Sequence, residues 1–245
     1  MSEDVVAPLP GHLGNLTAEE ERKLQEAWIH LLRLCGIKES VSHETLDRTH
    51  ELQQHLSDKS TDGFRKRLWT FVLDDHPDVL LLRFLRARKW DVGKAMTMFI
   101  SALNWRHERR IEDDIIRRGD SIGLGKDLSA DEQSFIAQYR SGKAYIRGSD
   151  KERRPVFIIK VRLHDPKLQS PESMERFVLH NIEIVRTMTQ HPYEKACLIF
   201  DLTGFGLKNM DFHVVQFLVQ VFEARYPEYL GVVLVHNAPF IFWGL

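Results

Sequence analysis

Residues 196–202 read Ala-Cys-Leu-Ile-Phe-Asp-Leu, and the fold class turns on them. The run is too short for an ordinary helix and lacks the alternation of a strand with one wet face. It reads as a strand buried on both faces. A second run of the same kind, Gly231–Val235 (GVVLV), follows a helix that Asp211 is placed to cap, with Val214, Val215, Leu218, Val221 and Phe222 among its apolar positions. Upstream, Ser170-Pro171 starts another helix carrying Phe177, Val178, Ile184, Val185 and Met188. Earlier still, Lys143–Gly148 and Pro155–Leu163 read as two strands around the polar turn Ser149–Arg153. The order β-β-α-β-α-β predicts an α/β fold with a mixed sheet and crossover helices.

The part before this core reads as helical. Thr17-Ala18-Glu19-Glu20 fits a capping box, Leu24, Ala27, Trp28, Leu31 and Leu32 recur on one face, and Gly36 is placed to end the helix. Residues 37–62 are polar with little sustained apolar period and read as a mobile insert or linker. Pro77 opens a helix expected to run through Trp90, and Asp91 caps the next, with Val92, Ala95, Phe99, Ala102 and Leu103 inward. The expected division is a helical N-terminal lobe over 1–125, containing the insert, and an α/β core over 126–245. The run Phe240–Leu245 is apolar enough that a further element is expected to cover it, so the chain reads as truncated.

Composition narrows the function. With 34 Lys+Arg against 35 Asp+Glu, the net charge of −1 argues against a dedicated nucleic-acid binder. The acidic, Pro/Gly-rich start is unlike a signal peptide, and no run approaches the roughly 20 apolar residues of a spanning helix, so a soluble cytoplasmic protein is expected. Cys35 and Cys197 are too few for a disulfide framework or a zinc site. None of the 12 histidines forms a metal-ligand spacing. Gly204-Phe205-Gly206 follows a strand as a dinucleotide loop does, but Asn209 stands where the third glycine belongs. No nucleophile sits with a base, and no metal or catalytic residue is assigned.

One basic residue stands apart. On a helical wheel over Leu80–Trp90, Arg83 and Arg86 fall on the polar side, whereas Arg88 falls between Phe84 and Leu81. A guanidinium on an apolar face needs an internal carboxylate, a path past the helix end to water, or a bound anion such as phosphate, for which its planar fork is suited.

The residues around Arg88 complete a pattern. Leu81–Val92 (LLRFLRARKWDV) with Lys94-Ala95 and Trp105-Arg106 resembles the N-terminal signature of the CRAL-TRIO lipid-binding family. Gly148–Val156, Ile199–Gly204, Tyr226-Pro227-Glu228 and Asn237-Ala238-Pro239 extend the resemblance through the second half. Pro10–Leu16 (PGHLGNL) is similar to the opening segment of fungal phosphatidylinositol transfer proteins, and the whole is most similar to their CSR branch.

The resemblance implies a bowl with a sheet floor, helical walls and a gating helix, enclosing one lipid and needing no cofactor beyond that phospholipid. It implies that Arg88 and Glu228 meet the inositol phosphate headgroup. Where phosphatidylcholine exchangers hold choline phosphate with hydroxyls, this chain has Ile146, Phe157, Ala196 and Leu198. The loss implies that phosphatidylinositol is retained and phosphatidylcholine is not. Family members often have glycine where Arg153 precedes Arg154-Pro155, so the hairpin turn is expected to differ. The function implied is a monomer that transfers or presents phosphatidylinositol, transiently on endomembrane surfaces, through apolar residues near Phe240–Trp243. A second reading is a sensor handing lipid to a lipid kinase, and a third a carrier of a sterol-like lipid or haem.

Overall fold

Thr17 opens the first helix as its sequence demands. Its hydroxyl accepts from Glu20 N at 3.2 Å while the Glu20 carboxylate takes Thr17 N at 2.8 Å, starting α1 (Ala18–Leu34). Gly36, at φ +82°, closes it. The computed structural model describes residues 7–37, 40–73 and 75–239. These fall into two compact units. The first holds the chain to Arg109 with Gln190–Glu194 and Ala224–Glu228, and the second holds Arg110–Thr189, Lys195–Glu223 and the residues from Tyr229 onward. The division thus falls at Arg109/Arg110 rather than at 125/126. The π-helical turn Ile111–Arg117 packs on the later helix Pro171–Met188, and the 3-10 turn Gly119–Leu124 on the helix Ala130–Arg140, so both belong with the second unit.

The first unit continues with α2 (His43–Gln54), α3 (Thr61–Val72), α4 (Pro77–Ala87) and α5 (Val92–Glu108). Helix α2 corrects the linker reading of 37–62. Ser42 caps it, and its narrow inner stripe is carried by Thr49 and Leu52. Thr49 hides the signal because its hydroxyl meets the buried His30 Nδ1 at 2.8 Å, a polar pair that a hydrophobic count cannot see. The core centres on Phe71, Phe84 and Phe99, whose ring centroids lie 5.0 to 6.1 Å apart.

Helix α4 ends at Ala87, three residues before the expected Trp90. Lys89 and Trp90 adopt left-handed backbone at φ +51° and +63°, which no α-helix contains. Within the helix, the wheel also misjudged two arginines, whose polar partners come from distant segments. Arg83, expected on the wet side, is fully buried and donates Nη1 to the Glu228 carbonyl at 3.0 Å. Arg86 is also largely covered and donates to the buried Glu194 carboxylate at 3.1 Å. Arg88 lies just past the helix as its C-cap.

The second unit contains α6 (Ala130–Arg140), β1 (Ala144–Ser149), β2 (Pro155–Lys160), α7 (Pro171–Met188), β3 (Ala196–Asp201), α8 (Phe212–Ala224, its last residue assigned to the first unit) and β4 (Leu230–His236). The sheet order is β1-β2-β3-β4. The first pair is antiparallel and the next two parallel, so the expected mixed sheet is present. Its connections include 3-10 turns at Val161–Leu163, Pro166–Leu168 and Leu207–Asn209.

Candidate functional site

Alternation along the strands sends every second side chain to one face. Phe157 and Ile159 of β2 and Ala196, Leu198 and Phe200 of β3 share such a face. With Phe177, Val178 and Ile182 of α7 and Val214, Leu218 and Phe222 of α8 they enclose a cavity of about 670 Å³ within the second unit. That size falls in the range of small-molecule pockets.

The polar groups on its wall are already occupied. Asn181 donates Nδ2 to the Phe177 carbonyl at 2.7 Å. Arg186 donates to Glu183 at 2.6 Å and to the Tyr229 hydroxyl at 3.2 Å. Lys143, also buried, donates Nζ to Gln138 Oε1 at 2.9 Å and Gln169 Oε1 at 3.1 Å, and reaches His164 Nδ1 at 3.2 Å. An ammonium only donates, so His164 Nδ1 accepts, and Nε2 carries the proton given to Asp211 Oδ2 at 3.0 Å. Burial pushes the Lys143 ammonium down to about 8 despite the opposing Asp211 charge. Burial, seconded by Lys143, also holds His164 below its ordinary value. With these side chains engaged by protein partners, the wall offers a guest hydrocarbon.

Three of the four positions implied to have lost hydroxyls, Phe157, Ala196 and Leu198, line this cavity. Ile146 does not. It pairs with Phe157 across the β1–β2 ladder, beside the irregularity between Ile146 and Ser149. Sequence reading missed Lys143, His164 and Arg186. Asp211 was expected as a cap, and its Oδ1 does accept from Val214 N at 3.1 Å. Only the partner of its other oxygen was hidden.

Arg88 and Glu228 both lie in the first unit but in different surroundings. Arg88 donates Nη1 to its neighbour Ala87 O at 3.0 Å and has no carboxylate partner among the described residues. It lines a second, polar cavity of about 710 Å³ with Arg48, Lys94 and Arg225, and Glu228 is not part of that lining. The Glu228 carboxylate, about one-third exposed, stands 3.9 Å from Arg86 Nε. Arg225, its sequence neighbour, turns instead to Ser101 Oγ at 2.6 Å. Phe240–Trp243 lie outside the described residues.

A hydrocarbon-lined cavity between a mixed sheet and two helices defines an α/β domain built to hold an apolar guest. Residues 139–245 match the CRAL/TRIO domain, and residues 49–101 match the CRAL/TRIO, N-terminal domain. The chain is 38% identical to the "Phosphatidylinositol transfer protein CSR1" of Eremothecium gossypii, over 95% of this chain and 67% of that one. It is 33% identical to a CRAL-TRIO domain-containing protein of Schizosaccharomyces pombe, over 96% and 63%. Identity is 30% to the "SEC14 cytosolic factor" of Yarrowia lipolytica, over 95% and 40%. The chain belongs to the CRAL-TRIO family, and it spans 40% to 67% of the length of these relatives.

Proposed function

We propose that this chain binds one phospholipid, phosphatidylinositol, and transfers or presents it between membranes as a peripheral, transiently docked protein. The supporting observation is the 670 Å³ cavity whose polar wall groups are engaged by the protein itself. A guest there is held by hydrocarbon contact, which contributes about 0.8 kcal/mol per buried CH₂. Acyl chains fit that requirement. The names of the relatives point the same way.

Arg88 and Glu228 remain the proposed headgroup residues, on the strength of the family resemblance. The Arg88 guanidinium makes no ion pair within 4.0 Å among the described residues, although Glu51 and Asp91 share the lining of its cavity with Arg48, Lys94 and Arg225. Phosphatidylcholine is disfavoured because Phe157, Ala196 and Leu198 offer no hydroxyl to a choline phosphate. Each lost partner costs a buried phosphate about 1–3 kcal/mol. No catalytic step is proposed. Both cysteines are buried, and burial raises their thiols further from the reactive thiolate.

Mass spectrometry of lipid carried by the purified protein tests the reading. Phosphatidylinositol without phosphatidylcholine is expected, and Leu198→Trp, which projects an indole into the cavity, is expected to abolish loading. A sterol-like lipid or haem in its place would retain the fold and replace the function. Equal vesicle-to-vesicle transfer of phosphatidylcholine and phosphatidylinositol would overturn the selectivity.

A further inference from the structure

Three short turns in the second unit share an unusual arrangement. The 3-10 turns Val161–Leu163, Pro166–Leu168 and Leu207–Asn209 each set a leucine beside a cation: Arg162-Leu163, Lys167-Leu168 and Leu207-Lys208. The leucines point outward, with Leu163 at 44%, Leu168 at 80% and Leu207 at 77% exposure. Single exposed leucines are ordinary on a protein surface. Three on neighbouring turns, each with a basic neighbour in sequence, are not accounted for by that background.

The turns are held together by His164. Its backbone carbonyl accepts from Asn209 Nδ2 at 2.6 Å, and the same amide reaches the Arg162 carbonyl at 3.3 Å, joining the first turn to the third. Its Nδ1 lies 2.8 Å from Gln169 Nε2, immediately after the second turn, and its Nε2 donates to Asp211. The buried polar cluster described above thus fixes where the three leucines stand. On their inner side, Val161, His164, Asn209 and Met210 line the apolar cavity. The outward leucines and the hydrocarbon-lined interior are two sides of one set of turns.

Charge narrows what these turns meet. Arg162 is partly matched by Asp201 at 3.4 Å. Lys167 and Lys208 have no carboxylate partner within 4.0 Å among the described residues, and both are exposed. A protein partner's apolar groove would take the leucines but gives the two unmatched ammonium groups no general role. A bilayer with anionic headgroups takes both, with leucine in the acyl boundary and lysine at the phosphates. We infer that these three turns form a docking surface for anionic phospholipid bilayers at the cavity wall. This rests on the proposed reading that the cavity exchanges lipid with membranes, and it uses residues other than Phe240–Trp243.

Flotation with vesicles of phosphatidylcholine alone, or with phosphatidylserine added, tests it, with lipid loading followed separately by mass spectrometry. Lys167→Gln/Lys208→Gln is expected to weaken binding to the anionic vesicles about 25-fold, from roughly 1 kcal/mol per lysine near such a surface, and to leave neutral vesicles unaffected. Leu168→Ser/Leu207→Ser is expected to weaken binding to anionic vesicles tenfold or more. Both positions are solvent-exposed, so these variants fold, and their cavity still loads lipid. Binding of the leucine variant at the wild-type level, or no binding of the wild type to anionic vesicles, would overturn the docking surface. A wild-type cavity free of phospholipid would overturn the lipid-carrier reading instead, whatever the flotation shows.

Discussion

The two compact units use their interiors in opposite ways. The first fills its centre with the interlocked rings of Phe71, Phe84 and Phe99, with the Arg106 guanidinium 4.4 Å above the Phe71 ring and donating to Tyr226 Oη at 3.1 Å. The second leaves about 670 Å³ between its sheet and helices and lines it with Phe157, Leu198 and Phe200. A filled core is stabilised by its own contacts, whereas a hollow one gains stability from whatever occupies it. The difference separates a scaffold from a container.

Paired truncations test that contrast most strongly. Phe99 is completely buried, and Phe99→Ala removes a ring from the middle of the aromatic cluster. The expected cost is about 3–5 kcal/mol. Phe200 is a half-buried wall residue of a space that already exists. Phe200→Ala enlarges that space rather than creating one, and about 1–2 kcal/mol is expected. Urea unfolding of lipid-free protein measures both. Equal losses would show that the cavity is as tightly determined as the filled core.

The next effect concerns Lys143. Its pKa in the fold is near 8, against 10.5 for the unconstrained side chain, so between these values the unfolded chain binds the extra proton. Stability therefore rises as pH goes from about 8 to 10.5, and below pH 8 the buried ammonium bears the whole penalty. Lys143→Met is expected to remove that rise while leaving stability at pH 7 equal or higher. His164 has the matching acid-side behaviour. Its depressed pKa means that stability present above its ordinary value near 6.5 is lost as pH falls. A stability profile still rising above pH 8 in the methionine variant would assign the titration to another group.

Much of the fold was readable because its signals are local or periodic. The Thr17 capping box, the Asp91 and Asp211 caps and the apolar runs of β3 and β4 each announce themselves within a few residues. All but one of the failures share a cause, the exception being the local backbone at the end of α4. Helix α2 is hidden because one of its two buried side chains is Thr49, satisfied by a histidine 19 residues earlier. The end of α4 depends on left-handed Lys89 and Trp90, which no glycine marks. Arg83 reads as a wet residue because its acceptor, the Glu228 carbonyl, is 145 residues away. The cluster of Lys143, His164 and Asp211 is likewise assembled from distant segments. Wherever a polar group is satisfied across the chain, the hydrophobic pattern misjudges its burial. The apolar lining of the cavity was more accessible, and Phe157, Ala196 and Leu198 came from the resemblance rather than from periodicity.

The smallest predicted effect lies at the β1–β2 turn. Asp150 organises it, accepting from Glu152 N at 2.9 Å and from Arg154 N at 3.0 Å. Arg153 N donates to the Asp150 carbonyl at 3.0 Å, at φ +60°. This is the left-handed region, and the position is one where family members often have glycine. An L-residue there costs about 1–2 kcal/mol. Glycine relieves that cost but brings about 0.5–1 kcal/mol of extra freedom to the unfolded chain. Arg153→Gly is therefore expected to stabilise the second unit by about 0.5 kcal/mol, read as a small upward shift of the urea midpoint. Trp90 in the first unit has the same backbone at φ +63°, but its side chain packs against the filled core. Trp90→Gly relieves similar strain and loses that packing, so it is expected to destabilise. If both substitutions stabilised, backbone strain would outweigh packing at each site, and the contrast between the filled and the hollow unit would not extend to their turns.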